Sequence, residues 1–192
     1  MRQIWILFII CCIITDCEKR VDSLCNETSS NVYDFEGLKV YRSLEDGLSC
    51  AKIKEKPILL LFSCFACVGD TSYERELFVE NPNRAIIDKN YVPIILYVDD
   101  KTPLENSYRV SVNSDGKVRW ISTIGEKNAL YQMQIFESTS QPFFVILDGE
   151  GNKILDPIGY QSSSSSYRSY LEMGIKSYKQ LKGNARKTVK GE

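Results

Sequence analysis

Cys64-Phe65-Ala66-Cys67 is the segment with the most direct chemical reading. Two sulfurs at this spacing can close a small disulfide, so that one thiolate attacks a partner and the other resolves the mixed intermediate. The chain holds 7 cysteines and no histidine. Without histidine there are no Ser-His or Cys-His nucleophile pairs, no histidine general bases and no histidine-based metal sites. A zinc site at the pair would need further ligands, and no second C-x-x-C exists, so no metal and no cofactor is expected. Thiol chemistry is what remains.

Such a pair works only where the fold holds it. Lys56-Pro57 opens Ile58-Leu59-Leu60-Leu61-Phe62, a continuous apolar run that reads as a fully buried central strand ending just before Cys64. Thr71 to Val79 reads as a helix broken by Asn81-Pro82, with a capping-box pattern at Thr71-Ser-Tyr-Glu74. A cysteine in a strand–loop–helix context is a redox candidate, because unpaired N–H groups at a helix start lower a nearby thiol's pKa.

The remaining elements follow from pattern. Ser43 to Glu55 reads as a capped helix with Leu44, Leu48 and Ile53 on its apolar stripe and Cys50 as a small core or boundary residue. A second buried strand spans Tyr91 to Val98. Residues 101–124 are polar, with an Asp115-Gly116 turn, and suggest an inserted loop or hairpin. A helix fits Glu126 to Phe136. Gln141-Pro142 leads into a strand to Asp148, and after a turn at 149–152 Lys153-Ile-Leu155 pairs back. The serine run 162–166 reads as a loop and cap for a terminal helix, Tyr167 to Leu181, with Tyr170, Leu171, Ile175 and Tyr178 on one face. Alternation of this kind predicts an α/β fold, helices flanking a central mixed β-sheet.

Composition bounds the class. The 192 residues are 43% hydrophobic and 26% charged, which suits one globular domain and argues against disorder. Lys plus Arg is 24 and Asp plus Glu is 25, so no broad basic field exists and no nucleic-acid partner is expected.

The N-terminus sets the compartment. Arg2 precedes an apolar run from Ile4 to Ile14, too short for the ~20 residues of a spanning helix, and this reads as a secretory signal. Cys17 follows at once, as in a bacterial lipoprotein signal, although Asp16 replaces the usual small residue. The expected organisation is a signal over 1–16, a polar tether over 17–32, the domain over 33–182 and a basic, frayed tail over 183–192. Cys25, in the tether, reads as an incidental exposed thiol. Export to the periplasm or cell envelope permits disulfides.

Together, Lys56-Pro57 to Phe62, the cysteine loop, Tyr97-Val-Asp-Asp-Lys-Thr102, Thr123-Ile-Gly-Glu-Lys127 and Ser140-Gln-Pro-Phe-Phe-Val-Ile-Leu-Asp148 resemble a thioredoxin-like protein. The similarity is to the C-terminal domains of DsbD-type thiol:disulfide interchange proteins of Bacteroidetes-like bacteria. It implies a thioredoxin-like fold with Pro142 as a cis-proline opposite the cysteine loop, and Pro142 and Gln141 bordering the client backbone.

The chain also departs from that pattern. Ungapped placement of the family's strand puts its attacking cysteine on Cys67 and its resolving cysteine on Asp70, with Leu61 where some thioredoxins carry a buried acid. Two arrangements stay open. Either the loop has re-registered so that Cys64 and Cys67 form the working pair with Cys64 attacking, or Cys67 acts alone beside Asp70. The strand register favours Cys67 as the attacking sulfur. The expected function is an exported thiol-disulfide oxidoreductase of reductase or isomerase type. Its partners would be client proteins with disulfides or thiols, an upstream thiol reductant, and the membrane through a lipid on Cys17. The alternative is a redox-inactive thioredoxin-like binding module, which Asp70 and Leu61 favour.

Overall fold

The computed structural model describes Cys25, residues 31–67, Phe78 and residues 83–112, 117–161 and 163–190, with 109–112, 117–118 and 186–190 described by backbone alone. Strands β1 (Val32–Phe35) and β2 (Leu38–Tyr41) form an antiparallel hairpin. Its turn residues Glu36 and Gly37 have φ of 52° and 96°. Two central residues with positive φ make the kind of turn whose twist matches the flanking strands. Next come α1 (Leu44–Lys54), β3 (Ile58–Ser63), α2 (Asn83–Asn90), β4 (Val92–Tyr97) and a hairpin of β5 (Pro103–Val112) and β6 (Lys117–Thr123). Helix α3 (Ile124–Phe136), β7 (Phe143–Leu147) and α4 (Ser164–Lys190) complete the order.

The main sheet runs β1-β2-β4-β3-β7, while β5 and β6 form a separate two-stranded sheet. Strand β3 is central, parallel to β4 and antiparallel to β7. Its six residues are all buried because helices cover both faces. Leu59 and Leu61 point into one core with Ile95, Phe144 and Ile146, which α2 and α4 close through Ile87, Tyr170 and Leu171. Ile58, Leu60 and Phe62 point the other way, into a core with Ile94 and Val145 that α1 and α3 close through Cys50, Ala51, Tyr131 and Phe136. The result is the expected mixed sheet flanked by helices. Among the described residues no helix is both long and apolar enough to cross a membrane.

Details differ from the sequence reading. Helix α1 has Ser43 as its cap, with Asp46 N–H donating to Ser43 Oγ at 3.2 Å. Its buried face, however, is Gly47, Cys50 and Ala51, and Ile53 is exposed. Gly47 lets the helix approach Ile94 closely, which moves the buried stripe away from Ile53. Helix α3 starts at Ile124 because Thr123 and Glu126 form a reciprocal capping box. Helix α4 continues to Lys190 through the stretch expected to fray, since Gly183 alone does not end a helix already docked through Tyr167, Tyr170 and Leu171. The expected helix over 71–79 and the Asp115-Gly116 turn lie outside the described residues.

Cys25 is the largest correction. It is 3% exposed and disulfide-bonded to Cys50 of α1, and Tyr41 Oη donates to the Cys25 carbonyl at 3.0 Å. A polar segment without periodicity therefore still delivers one residue to the core.

Three buried tyrosines give a pH prediction. Burial pushes the hydroxyls of Tyr91, Tyr167 and Tyr170 well above the ordinary 10.0. Their stabilising contribution is complete below pH 10 and is lost above it, where only the unfolded chain ionises them. The unfolding free energy should fall between pH 9.5 and 11, by up to about 1.4 kcal/mol per pH unit for each tyrosine, and the urea midpoint with it. Absorbance of tyrosinate that tracks unfolding would check the cause, and a flat midpoint would refute it.

Candidate functional site

Strand register brings the candidate residues to one end of the sheet. Pairing of Ser63 with Tyr97 and of Phe62 with Phe143 places the chain after β3, the turn after β4 and the residue before β7 side by side. Cys64, Asp99 and Pro142 are therefore neighbours in topology although far apart in sequence.

Cys64 and Cys67 form a disulfide with Cα atoms 5.4 Å apart. Cys67 N–H donates to the Cys64 carbonyl at 3.4 Å, closing a tight turn. The two sulfurs differ in access. Cys64 is 4% exposed, held where the buried strand ends, whereas Cys67 is exposed.

Asp99 fixes the loop between them. Its Oδ1 accepts from Phe65 N–H at 2.8 Å and its Oδ2 from Ala66 N–H at 2.9 Å. The Phe65 ring stacks on Tyr97 with centroids 3.8 Å apart and an 11° interplanar angle. The Arg42 guanidinium lies 5.3 Å from the Tyr97 ring, 5.6 Å from Phe65 and 4.6 Å from Tyr33. It also pairs with Asp100 at 3.0 Å and donates to Tyr33 Oη at 2.7 Å. Asp100 is in turn held by Thr102 N–H at 2.8 Å. Gly125 completes this corner, because a Cβ there would run into the Asp99–Asp100 backbone. The cysteine loop thus rests on a charged and aromatic base.

Because both Asp99 contacts are charge-assisted, Asp99→Ala should loosen the loop and destabilise the protein by about 1–2 kcal/mol, discounted for partial exposure. Urea unfolding measures this. A midpoint equal to that of the wild type would show that the stacking of Phe65 holds the loop alone.

The opposite wall is the segment before β7. The Gln141–Pro142 peptide is cis, as the resemblance implied. Gln141 Nε2 donates to Gln132 Oε1 at 2.9 Å, and Gln132 Nε2 donates to the Ser140 carbonyl at 2.8 Å. Gln132 is wholly buried, and Asn128, one turn earlier on α3, donates to the Tyr97 carbonyl at 2.9 Å. These two amides satisfy backbone groups of β4 and of the Pro142 segment from one helix face. Gly159 lies 3.7 Å from the Pro142 carbonyl at the position a Cβ would take.

Cys64, Cys67, Gln141 and Pro142 are thus brought to one sheet end, while Cys17 and Asp70 lie outside the described residues. Leu61 is fully buried in β3 and offers no proton acceptor behind the loop. Asp99, Arg42, Asn128 and Gln132 went unrecognised in the sequence. Asp99 had a signal, an acidic residue straight after a buried strand. The inward polar pair on α3 had the i, i+4 spacing of Asn128 and Gln132.

A central strand ending in C-x-x-C, a parallel neighbour, an antiparallel strand entered through a cis-proline and a terminal helix together make a thioredoxin-like fold. No family model matches the chain, and no curated protein matches it. Solved structures do resemble it. One, described as "DsbH Oxidoreductase", is 18% identical with a TM-score of 0.49, covering 70% of this chain and 82% of that one. Another, described as a thioredoxin-fold protein from Helicobacter pylori, is 17% identical with a TM-score of 0.37, covering 67% of this chain and 87% of the other.

Proposed function

We propose that the protein is an exported thiol-disulfide oxidoreductase related to the C-terminal domains of DsbD-type proteins, with Cys67 attacking and Cys64 resolving. The observation that carries this reading is the disulfide between an exposed Cys67 and a buried Cys64 at the sheet end that also holds the cis Gln141–Pro142 bond. In the reduced protein, the Cys67 thiolate attacks a client disulfide, forms a mixed disulfide and expels one client thiolate. Cys64 loses its proton and attacks the Cys67 sulfur, releasing the second client thiolate and restoring the Cys64–Cys67 disulfide. An upstream thiol reductant returns the two electrons. Pro142 and Gln141 border the client backbone at this step.

The compartment belongs to the same reading. Residues 1–16 direct export to the periplasm or cell envelope, and Cys17 carries lipid. Metabolic labelling with a fatty acid should mark the wild type and not Cys17→Ala, and labelling of neither leaves a plain exported protein. For the chemistry, protein lacking residues 1–17 should reduce a model protein disulfide with dithiothreitol as donor. Turnover no better than that of Cys64→Ser/Cys67→Ser leaves the binding-module reading in its place.

A further inference from the structure

The end of the sheet opposite the cysteine loop carries a concentration of lysine that the overall charge conceals. A cleft of about 460 Å³ is lined by Lys39, Lys54, Lys56 and Lys89, with Asp88 as its acid. An adjoining cleft of about 390 Å³ shares Lys56 and Lys89 and adds Lys179 and Lys182, with Glu55 as its acid. Lys182 pairs with Glu55 at 2.7 Å, Lys39 pairs with Asp34 at 2.7 Å, and Lys56 Nζ donates to the Asp88 carbonyl at 3.2 Å. Lys89 and Lys179 are exposed.

The sequence of α4 beyond the clefts is also basic. Helix α4 runs on to Lys190, and residues 173–191 hold six cations and no acid. The chain as a whole is −1, so those six leave −7 on the rest. Lys56 lies two residues before β3, and Lys89 is in the last turn of α2, just ahead of β4. The six residues of β3 then separate this face from the cysteine loop by roughly 20 Å.

One residue of the N-terminal segment, Cys25, is fixed beside the same face. Cys50 lines the first cleft and is bonded to Cys25. Cys17 lies eight residues before Cys25, a reach of at most about 29 Å.

We infer that this lysine face docks on an anionic phospholipid surface and holds the domain with its cysteine loop turned away from the membrane. The attraction needs no lipid on Cys17, although the inferred orientation rests on the export and anchoring reading above. Lysine, a compact point charge without a bidentate fork, suits a diffuse anionic surface better than one shaped ligand. Each cation near such a surface strengthens binding roughly fivefold.

The test is sedimentation of the full chain with vesicles of phosphatidylcholine alone or with phosphatidylglycerol added. The apolar N-terminus contributes to both compositions, so the difference between them reads the charged face. Binding should be tighter to the anionic vesicles and should fade in about 1 M salt. Lys54→Gln/Lys56→Gln/Lys89→Gln/Lys179→Gln should cut that preference sharply, weakening anionic binding about 100-fold or more. The milder Lys89→Gln/Lys179→Gln, both on exposed helix positions, should lose at least tenfold with an unchanged melting temperature. Lys101→Gln/Lys127→Gln, at the cysteine-loop end, should change nothing. Equal binding to both vesicle types, or lysine variants that bind like the wild type, overturns the proposal. So does displacement by inorganic phosphate at constant ionic strength, which makes the clefts a free-anion site. Retention on heparin without vesicle binding overturns it in favour of a soluble polyanion. Loss of reductase activity sinks the proposed chemistry and leaves this result standing.

Discussion

Replacing Cys67 with serine should abolish mixed-disulfide formation with clients, whereas Cys64→Ser should accumulate it. Disulfide turnover should fall to the uncatalysed level in both, because each variant lacks one half of the exchange. The asymmetry comes from access. Cys64 is 4% exposed at the end of a strand buried on both faces, and Cys67 stands on the exposed side of the turn. A client sulfur must reach the attacking thiolate along the S–S axis, which an enclosed Cys64 does not permit without opening the loop. The double grip of Asp99 on Phe65 and Ala66, and the stacking of Phe65 on Tyr97, oppose such opening. Once Cys67 is joined to a client, Cys64 is the one thiol among the described residues close enough to displace it, so its removal should leave the mixed disulfide to be isolated. Non-reducing electrophoresis of alkylated cell extracts followed by mass spectrometry reads this out. Clients trapped on Cys64 in the Cys67→Ser protein would show that the loop opens and that the order of attack is reversed.

The parts of this molecule visible in the sequence are those whose pattern is self-contained. Ile58 to Phe62, Tyr91 to Val98 and Phe143 to Leu147 are continuous apolar runs, and each became a strand buried on both faces. The cysteine pair was visible because its spacing is local. What escaped depends on partners distant in sequence. Asp99 marked only the end of a strand until the register of β3 and β4 brought its carboxylate beneath the loop. Gln132 and Asn128 are ordinary helix polars until the Ser140 and Tyr97 carbonyls are placed beside them. The β1–β2 hairpin is too short for a strong alternating pattern, though Glu36-Gly37 between Phe35 and Leu38 was a usable turn signal. The basic face is built from α1, α2 and α4 together, so net charge near zero was a poor guide to it.

Cys25→Ala/Cys50→Ala should destabilise the protein by about 3.5 kcal/mol and lower Tm by roughly 7–14 °C. The bond closes a sequence separation of 25 residues. Chain-entropy arguments assign a crosslink of that length about this much, by restricting the unfolded chain. Packing works in the same direction. Cys50 is fully buried against the core that holds Ile58, Leu60 and Phe62, and Cys25 is 3% exposed beside Tyr41, so truncating both removes contacts in a closed site. The two disulfides should also separate under reduction. Thiol attack needs access, so graded reductant should open the pair containing exposed Cys67 well before the buried one. Alkylation and peptide mapping at each reductant level should therefore label Cys64 and Cys67 first, with the loss of the high-temperature melting transition following only when Cys25 and Cys50 become labelled. Prior or simultaneous labelling of Cys25 and Cys50, or a double alanine variant that melts with the wild type, would mean that the bond does not staple the N-terminal segment to α1. The expected order instead lets the Cys64–Cys67 pair cycle while the fold that positions it stays locked.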